Sequence, residues 1–151
     1  MVLTQNATAA SELKQGGFTG KLIAEDGAGN GTLDAAGGAA NGVVWASDWV
    51  PGAPFGSIST SFTQAYEAKY GTKPSDWAAE AYDATFYAAR AIKMANSVSP
   101  AAVDAALISE GAAGFTGVLG PAKVVNGQEQ ATPVLVQWLN GAAVPMTNQN
   151  P

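Results

Sequence analysis

The chain has no cysteine and no histidine, and only 13% of its 151 residues are charged. Without cysteine there can be no disulfide, thiol nucleophile or thiolate metal site. Without histidine the Ser-His-Asp triad and every imidazole-ligated metal are excluded. A cysteine-free chain is compatible with an oxidising compartment but does not require one. Cations are scarce: seven Lys and Arg stand against twelve Asp and Glu, a net charge of -5, with no basic cluster. That pattern argues against nucleic acid and against an anionic membrane surface as partners. No apolar run approaches the roughly 18 to 20 residues needed to span a bilayer, so no membrane insertion is expected. Internal repeats and a heptad seam are also missing.

What is abundant is small. Eighteen glycines and many alanines imply close packing of backbone, and the length suits one domain or slightly more, with a real core. The chain is organised around Lys21 to Val50. A short apolar run (Leu22, Ile23, Ala24) leads into acids and glycines (Glu25 to Gly31), then a small helix starting near Thr32, then a second apolar run, Val43 to Ala46. This is the pattern of a βαβ unit in a parallel sheet, and the loop at the carboxyl end of such a strand is where open α/β sheets hold ligands. Asp26 lies in that loop. The run Gly27-Ala28-Gly29-Asn30-Gly31 lacks the Lys-Ser/Thr ending of a phosphate loop and the dinucleotide-binding register, so no nucleotide cofactor is expected.

Upstream, Met1 to Thr4 reads as the end of a strand, Gln5 to Thr8 as a polar loop, and Ala9 to Gln15 as a helix capped by Thr8 or Ser11. The break at Pro51 to Pro54 separates strands from helices. Helices are expected over Ser59 to Tyr70, from Pro74-Ser75-Asp76 through Ala95, and from Ser99-Pro100 to about Ser109. Strands follow at Phe115 to Leu119, Ala122 to Val125 and Val134 to Leu139. Asn126-Gly127 marks a hairpin, for which Gln128 to Gln130 suggest a loop wider than two residues, and Asn140-Gly141 marks another turn. Nothing after Met1 resembles a signal segment, so the expectation is a cytosolic protein or a leader lying outside this sequence.

Four stretches, in order, resemble the C-terminal half of type I periplasmic solute-binding proteins, in particular the branched-chain amino-acid (leucine/isoleucine/valine) family of ABC importers. They are GFTGKLIAEDGAGN with AANGVVWASDWVP, FTQAYEAKYGTKPSDWAAEAYDATFYAARAIKMA, GFTGVLGPAKVVNGQ, and ATPVLVQWLNGAAVP. The resemblance implies an α/β fold: a partial lobe with a parallel sheet, flanking helices and a C-terminal antiparallel hairpin. It assigns residues 1–50 to the second lobe, 55–119 to helices that normally pack on the first lobe, 121–145 to strands returning to the second lobe, and 146–151 to a loose tail. Family members are more than twice as long, so the ligand cleft is expected to be incomplete. By resemblance the protein is extracytoplasmic, is not an enzyme, and serves an ABC permease.

The same resemblance places Asp26 on the α-ammonium of an amino acid, where a carboxylate makes a charge-assisted hydrogen bond; its alternative is a loop acid that caps a turn. Trp77 falls where the family sets an aromatic wall against the ligand side chain, and its alternative is a core aromatic at a helix start. Gln5, Asn6 and Thr8 are candidate donors to a carboxylate, or else turn formers and caps. Two other functions stay open. Glu25 and Asp26 would be the acid/base pair of a small α/β enzyme, although adjacent residues tend to point apart. Otherwise the chain is a non-binding structural or self-assembling fragment, its uncovered helix faces folding back onto its own strands or pairing with a second copy by element exchange.

Overall fold

The computed structural model describes residues 5–29 and 31–146. The strand expected at Met1 to Thr4 and the tail from residue 147 onward lie outside these residues. The chain forms two compact units, one built from residues up to Ala53 together with those from Pro133 onward, the other from Pro54 to Thr132.

In the first unit, helix α1 (Gln5–Gln15) precedes the edge segment Leu22 to Ala24, which pairs with strand β1 (Val44–Ser47) through Ala24 N–H to Val44 O and Val44 N–H to Leu22 O. The Ile23–Val44 bridge between them is parallel, and it is the parallel pairing found among the described residues. Beyond β1 the sheet continues antiparallel through β5 (Val134–Leu139) to β6 (Ala142–Pro145). The helix expected near Thr32 is instead a pair of short 3-10 turns. One spans Asp26–Gly29, and the other, Asp34–Ala40, is interrupted at Gly37, whose φ of 51° is left-handed. The sequence Ala-Ala-Gly-Gly gives a helix little to hold it, since each interior glycine costs about 1 kcal/mol relative to alanine.

Alternation then builds the core. Trp45 on β1 faces the same side as Val136 and Trp138 on β5, and with Leu33, Val43 and Val50 they form a buried cluster. Burial of a side chain such as Val136 contributes about 2 kcal/mol. The other side of the edge segment is open, leaving Ile23 85% exposed.

The second unit holds three helices and a meander. Helix α2 (Ser57–Tyr70) ends on Gly71 in the left-handed region. Helix α3 (Asp76–Ala95) starts where Ser75 accepts the Ala78 N–H and stops at left-handed Asn96. Helix α4 (Pro100–Ala113) carries Pro100 at its first turn. The meander consists of β2 (Phe115–Gly117), β3 (Gly120–Val125) and β4 (Gln128–Gln130), all antiparallel. Tyr87 of α3 stacks on Phe115 with centroids 5.0 Å apart and donates its hydroxyl to Leu107 O. Arg90 lies over the same ring and bonds Glu110, tying α3 to α4. The turn at Asn126-Gly127 is a two-residue one, tighter than expected: Val125 pairs with Gln128, and both turn residues have positive φ.

Candidate functional site

Parallel pairing of Leu22–Ala24 with β1 brings the carboxyl ends of two neighbouring strands to one edge of the sheet. Asp26 follows the first and Asp48 the second. Their carboxylate oxygens lie within 4.8 Å of each other, with Asp26 exposed and Asp48 partly buried. Two carboxylates this close repel, and a cation between them relieves the repulsion. An ammonium offers three donors to such a pair. Asp48 was not singled out from the sequence. The signal that would have found it is its place just after a strand that runs parallel to the one before Asp26.

The loop carrying Asp26 is held from behind. Glu25 Oε2 accepts the Gly27 N–H at 2.9 Å, closing a tight local turn. Glu25 Oε1 accepts from Asn6 Nδ2 at 3.2 Å, and the same amide reaches Thr32 Oγ1 at 3.2 Å. The Thr32 hydroxyl in turn lies 3.1 Å from Ala28 O. Asn6 and the Gly27 N–H both stabilise the charged form of Glu25, in that order, and hold its pKa below the ordinary carboxylate value. A carboxylate kept ionised and engaged in this way is poorly suited to deliver a proton. Beneath the loop Trp45 is 1% exposed, and its indole N–H has no acceptor among the described residues.

The other anticipated residues are distributed as follows. Gln5, Asn6 and Thr8 belong to α1 itself, which begins four residues earlier than expected, so they are helical rather than a loop. Gln5 and Thr8 are exposed, three residues apart on the helix surface. Asn6 is only 6% exposed, and its amide is committed to Glu25 and Thr32. Trp77 belongs to the helical unit, in the first turn of α3, and is 47% exposed, a surface indole rather than a core one. That unit also has an open apolar groove of about 750 Å³ between α2 and α3, lined by Phe62, Tyr66, Tyr70 and Tyr82, with Lys69 as its charged member.

An α/β layer that presents an acid-bearing loop at the carboxyl edge of its strands has the build of one lobe of a solute-binding protein. The sequence pattern of the periplasmic binding protein family matches residues 1–142, and the chain belongs to that family. Solved structures agree on the fold. A leucine-binding protein from Thermotoga maritima superposes with a TM-score of 0.87 at 24% identity, over 96% of this chain and 41% of its own. The branched-chain amino acid transporter substrate-binding protein of Streptococcus pneumoniae, in complex with isoleucine, gives 0.83 at 21% identity, over 95% and 42%. An ABC transporter substrate-binding protein from Desulfitobacterium hafniense, in complex with leucine, gives 0.77 at 26% identity, over 93% and 40%. The chain thus spans less than half the length of each of these structures. No curated protein matches it by sequence. Within the described residues no helix is long and apolar enough to cross a membrane.

Proposed function

We propose that this chain is the second-lobe portion of a receptor that captures an amino acid or similar small carboxylate outside the cytoplasm and delivers it to the permease of an ABC importer. The observation that carries this reading is the Asp26–Asp48 pair, with oxygens within 4.8 Å at the carboxyl edge of two parallel strands. The pair accepts the α-ammonium; by the family resemblance Gln5 and Thr8 are read as contacts for the guest's carboxylate and Trp77 as a surface for its apolar side chain. The segments at residues 1–50 and 121–145 are read as second-lobe material, and 55–119 as the part that packs on a first lobe. Receptors of this kind close two lobes on the guest, so the cleft is incomplete here and the chain alone binds weakly. No turnover is part of this function.

Amide NMR of the chain titrated with leucine tests this. The expected result is weak, millimolar-range shifts at residues 25–29 and 46–50, lost in Asp26→Ala. Shifts that survive that substitution, or that fall only elsewhere, overturn the site. Submicromolar affinity overturns the incomplete cleft.

The open α2–α3 groove favours a second reading, a fragment that self-assembles through this face into a homodimer. Light scattering separates the two. A monomer at micromolar concentration removes the self-assembly reading, and a dimer disrupted by Tyr70→Asp supports it.

A further inference from the structure

The first unit has two cationic side chains in its sequence, Lys14 and Lys21, against five acids, Glu12, Glu25, Asp26, Asp34 and Asp48. Both lysines line one cavity of about 280 Å³, and none of the five acids does. Lys14 reaches it from the last turn of α1, Lys21 from the start of the edge segment Leu22–Ala24. Asp26 follows the other end of that segment. Along the edge segment the charge therefore changes sign, with Lys21 before its amino end and Glu25 and Asp26 after its carboxyl end, while Glu12 sits two residues from Lys14 on α1 without lining the cavity.

Lys14 has an ordinary explanation, since cations suit helix carboxyl termini. Here, however, the carbonyls of Glu12, Leu13 and Lys14 are already occupied by backbone. Gly16 N–H donates to Glu12 O, Gly17 N–H to Lys14 O and Phe18 N–H to Leu13 O, with Gly17 at a φ of 80°, a Schellman closure. The ammonium of Lys14 is not needed to satisfy them. Neither lysine has an ion-pair partner among the described residues. The polar lining adds donors: the Thr19 hydroxyl and the amides of Gln137 and Asn41. The carbonyl oxygen of Asn41 accepts the Asn140 N–H at 2.8 Å, so its NH2 is what remains to offer a ligand. Phe18 supplies an apolar wall.

We propose that this cavity binds a small dianion, a phosphate or a dicarboxylate, whose two charges are shared between Lys14 and Lys21. Ammonium-to-oxyanion hydrogen bonds supply the attraction, the amide and hydroxyl donors fill the remaining acceptor positions, and the concave wall limits screening by salt. The volume admits an ion of this size but not a nucleotide. The site is distinct from the Asp26 loop and of opposite charge preference.

The test is amide NMR of the whole chain titrated with inorganic phosphate and, separately, with succinate, at constant ionic strength made up with chloride. Saturable shifts confined to residues 14–22 and 39–44, weakened roughly tenfold for each lysine replaced in Lys14→Gln and Lys21→Gln, support the site. Whichever anion saturates first identifies the source. Shifts that rise linearly, that chloride reproduces, or that persist in the double variant with its core resonances intact overturn it. Because the reporting amides differ from those of the Asp26 loop, failure here and failure of the amino-acid reading are told apart in one spectrum.

Discussion

The carboxylate of Asp83 fills the space in which a side chain on Gly117 would have to stand. From α3 it accepts the Val118 N–H at 2.8 Å on one oxygen and the Leu119 N–H at 2.9 Å on the other. Both residues form the buried tip between β2 and β3, where unpaired amides would have no water to turn to. One acid thus pins the meander to the helix. Asp83→Ala is expected to cost about 2 to 3 kcal/mol, and Gly117→Ala a similar amount by driving the carboxylate out. Urea unfolding measures both. Because they remove the same contact, the double variant should fall well short of the sum of the two single losses.

Asn126 and Gly127 carry the β3–β4 turn with φ of 52° and 75°, the backbone of a two-residue hairpin that twists with its strands. Gly127→Ala puts a Cβ into the left-handed region and is expected to lower stability by about 1 kcal/mol. Cross-strand amide exchange at Val125 and Gln128 should rise with it. Asn126→Gly should be nearly neutral, which distinguishes a conformational role from a side-chain one.

Much of this arrangement was legible because its signals are local. Ser75 before an apolar-periodic run marks the start of α3, Gly71 the end of α2, and Asn-Gly the hairpins. The apolar run Leu22 to Ala24, followed by acids and glycines, marks the Asp26 loop as lying at the carboxyl end of a paired segment. What could not be read depends on partners far along the chain. Thr8 and Ser11 look like caps, yet α1 extends back to Gln5, with Asn6 anchored by side chains 19 and 26 residues away. The expected parallel sheet reduces, among the described residues, to the Ile23–Val44 bridge, because β1 takes antiparallel β5 as its other neighbour. Asp48 follows β1 as Asp26 follows the edge segment, a relation that emerges only when the two strands are taken as parallel neighbours rather than from the spacing of the acids themselves.

Gly29 rests on Trp45. A Cβ at 29 would lie 3.3 Å from the indole Nε1 and 3.4 Å from Cζ2, tighter than most real contacts. The ring, buried in the core cluster, has little room to retreat. Gly29→Ala should therefore displace the loop rather than the ring, at a cost of about 1 kcal/mol. The Trp45 indole proton resonance should shift, and the leucine-induced changes near Asp26 should weaken. An unchanged indole resonance would show that the loop does not lean on this side chain.

Glu25 links the same loop to pH. Its folded pKa is depressed, first by Asn6 and then by the Gly27 N–H, from an ordinary value of 4.5. A group with a depressed folded pKa contributes stability that is present above its unfolded pKa and lost as pH falls through the folded one. Stability should accordingly decline on acidification from 4.5 downward, and the Asp26 loop, which Glu25 closes, should loosen first. Glu25→Gln keeps an acceptor for Gly27 N–H but cannot ionise. Its melting temperature should be somewhat lower than that of the unsubstituted chain near neutrality, and the gap should narrow at acid pH as the native carboxylate is itself protonated. The side chain is solvent-exposed, so the effect is small in thermal melts and larger in amide exchange of Gly27 and Ala28. A gap that widens on acidification would reverse the sign of the linkage and show that Asn6 and Gly27 do not favour the charged carboxylate.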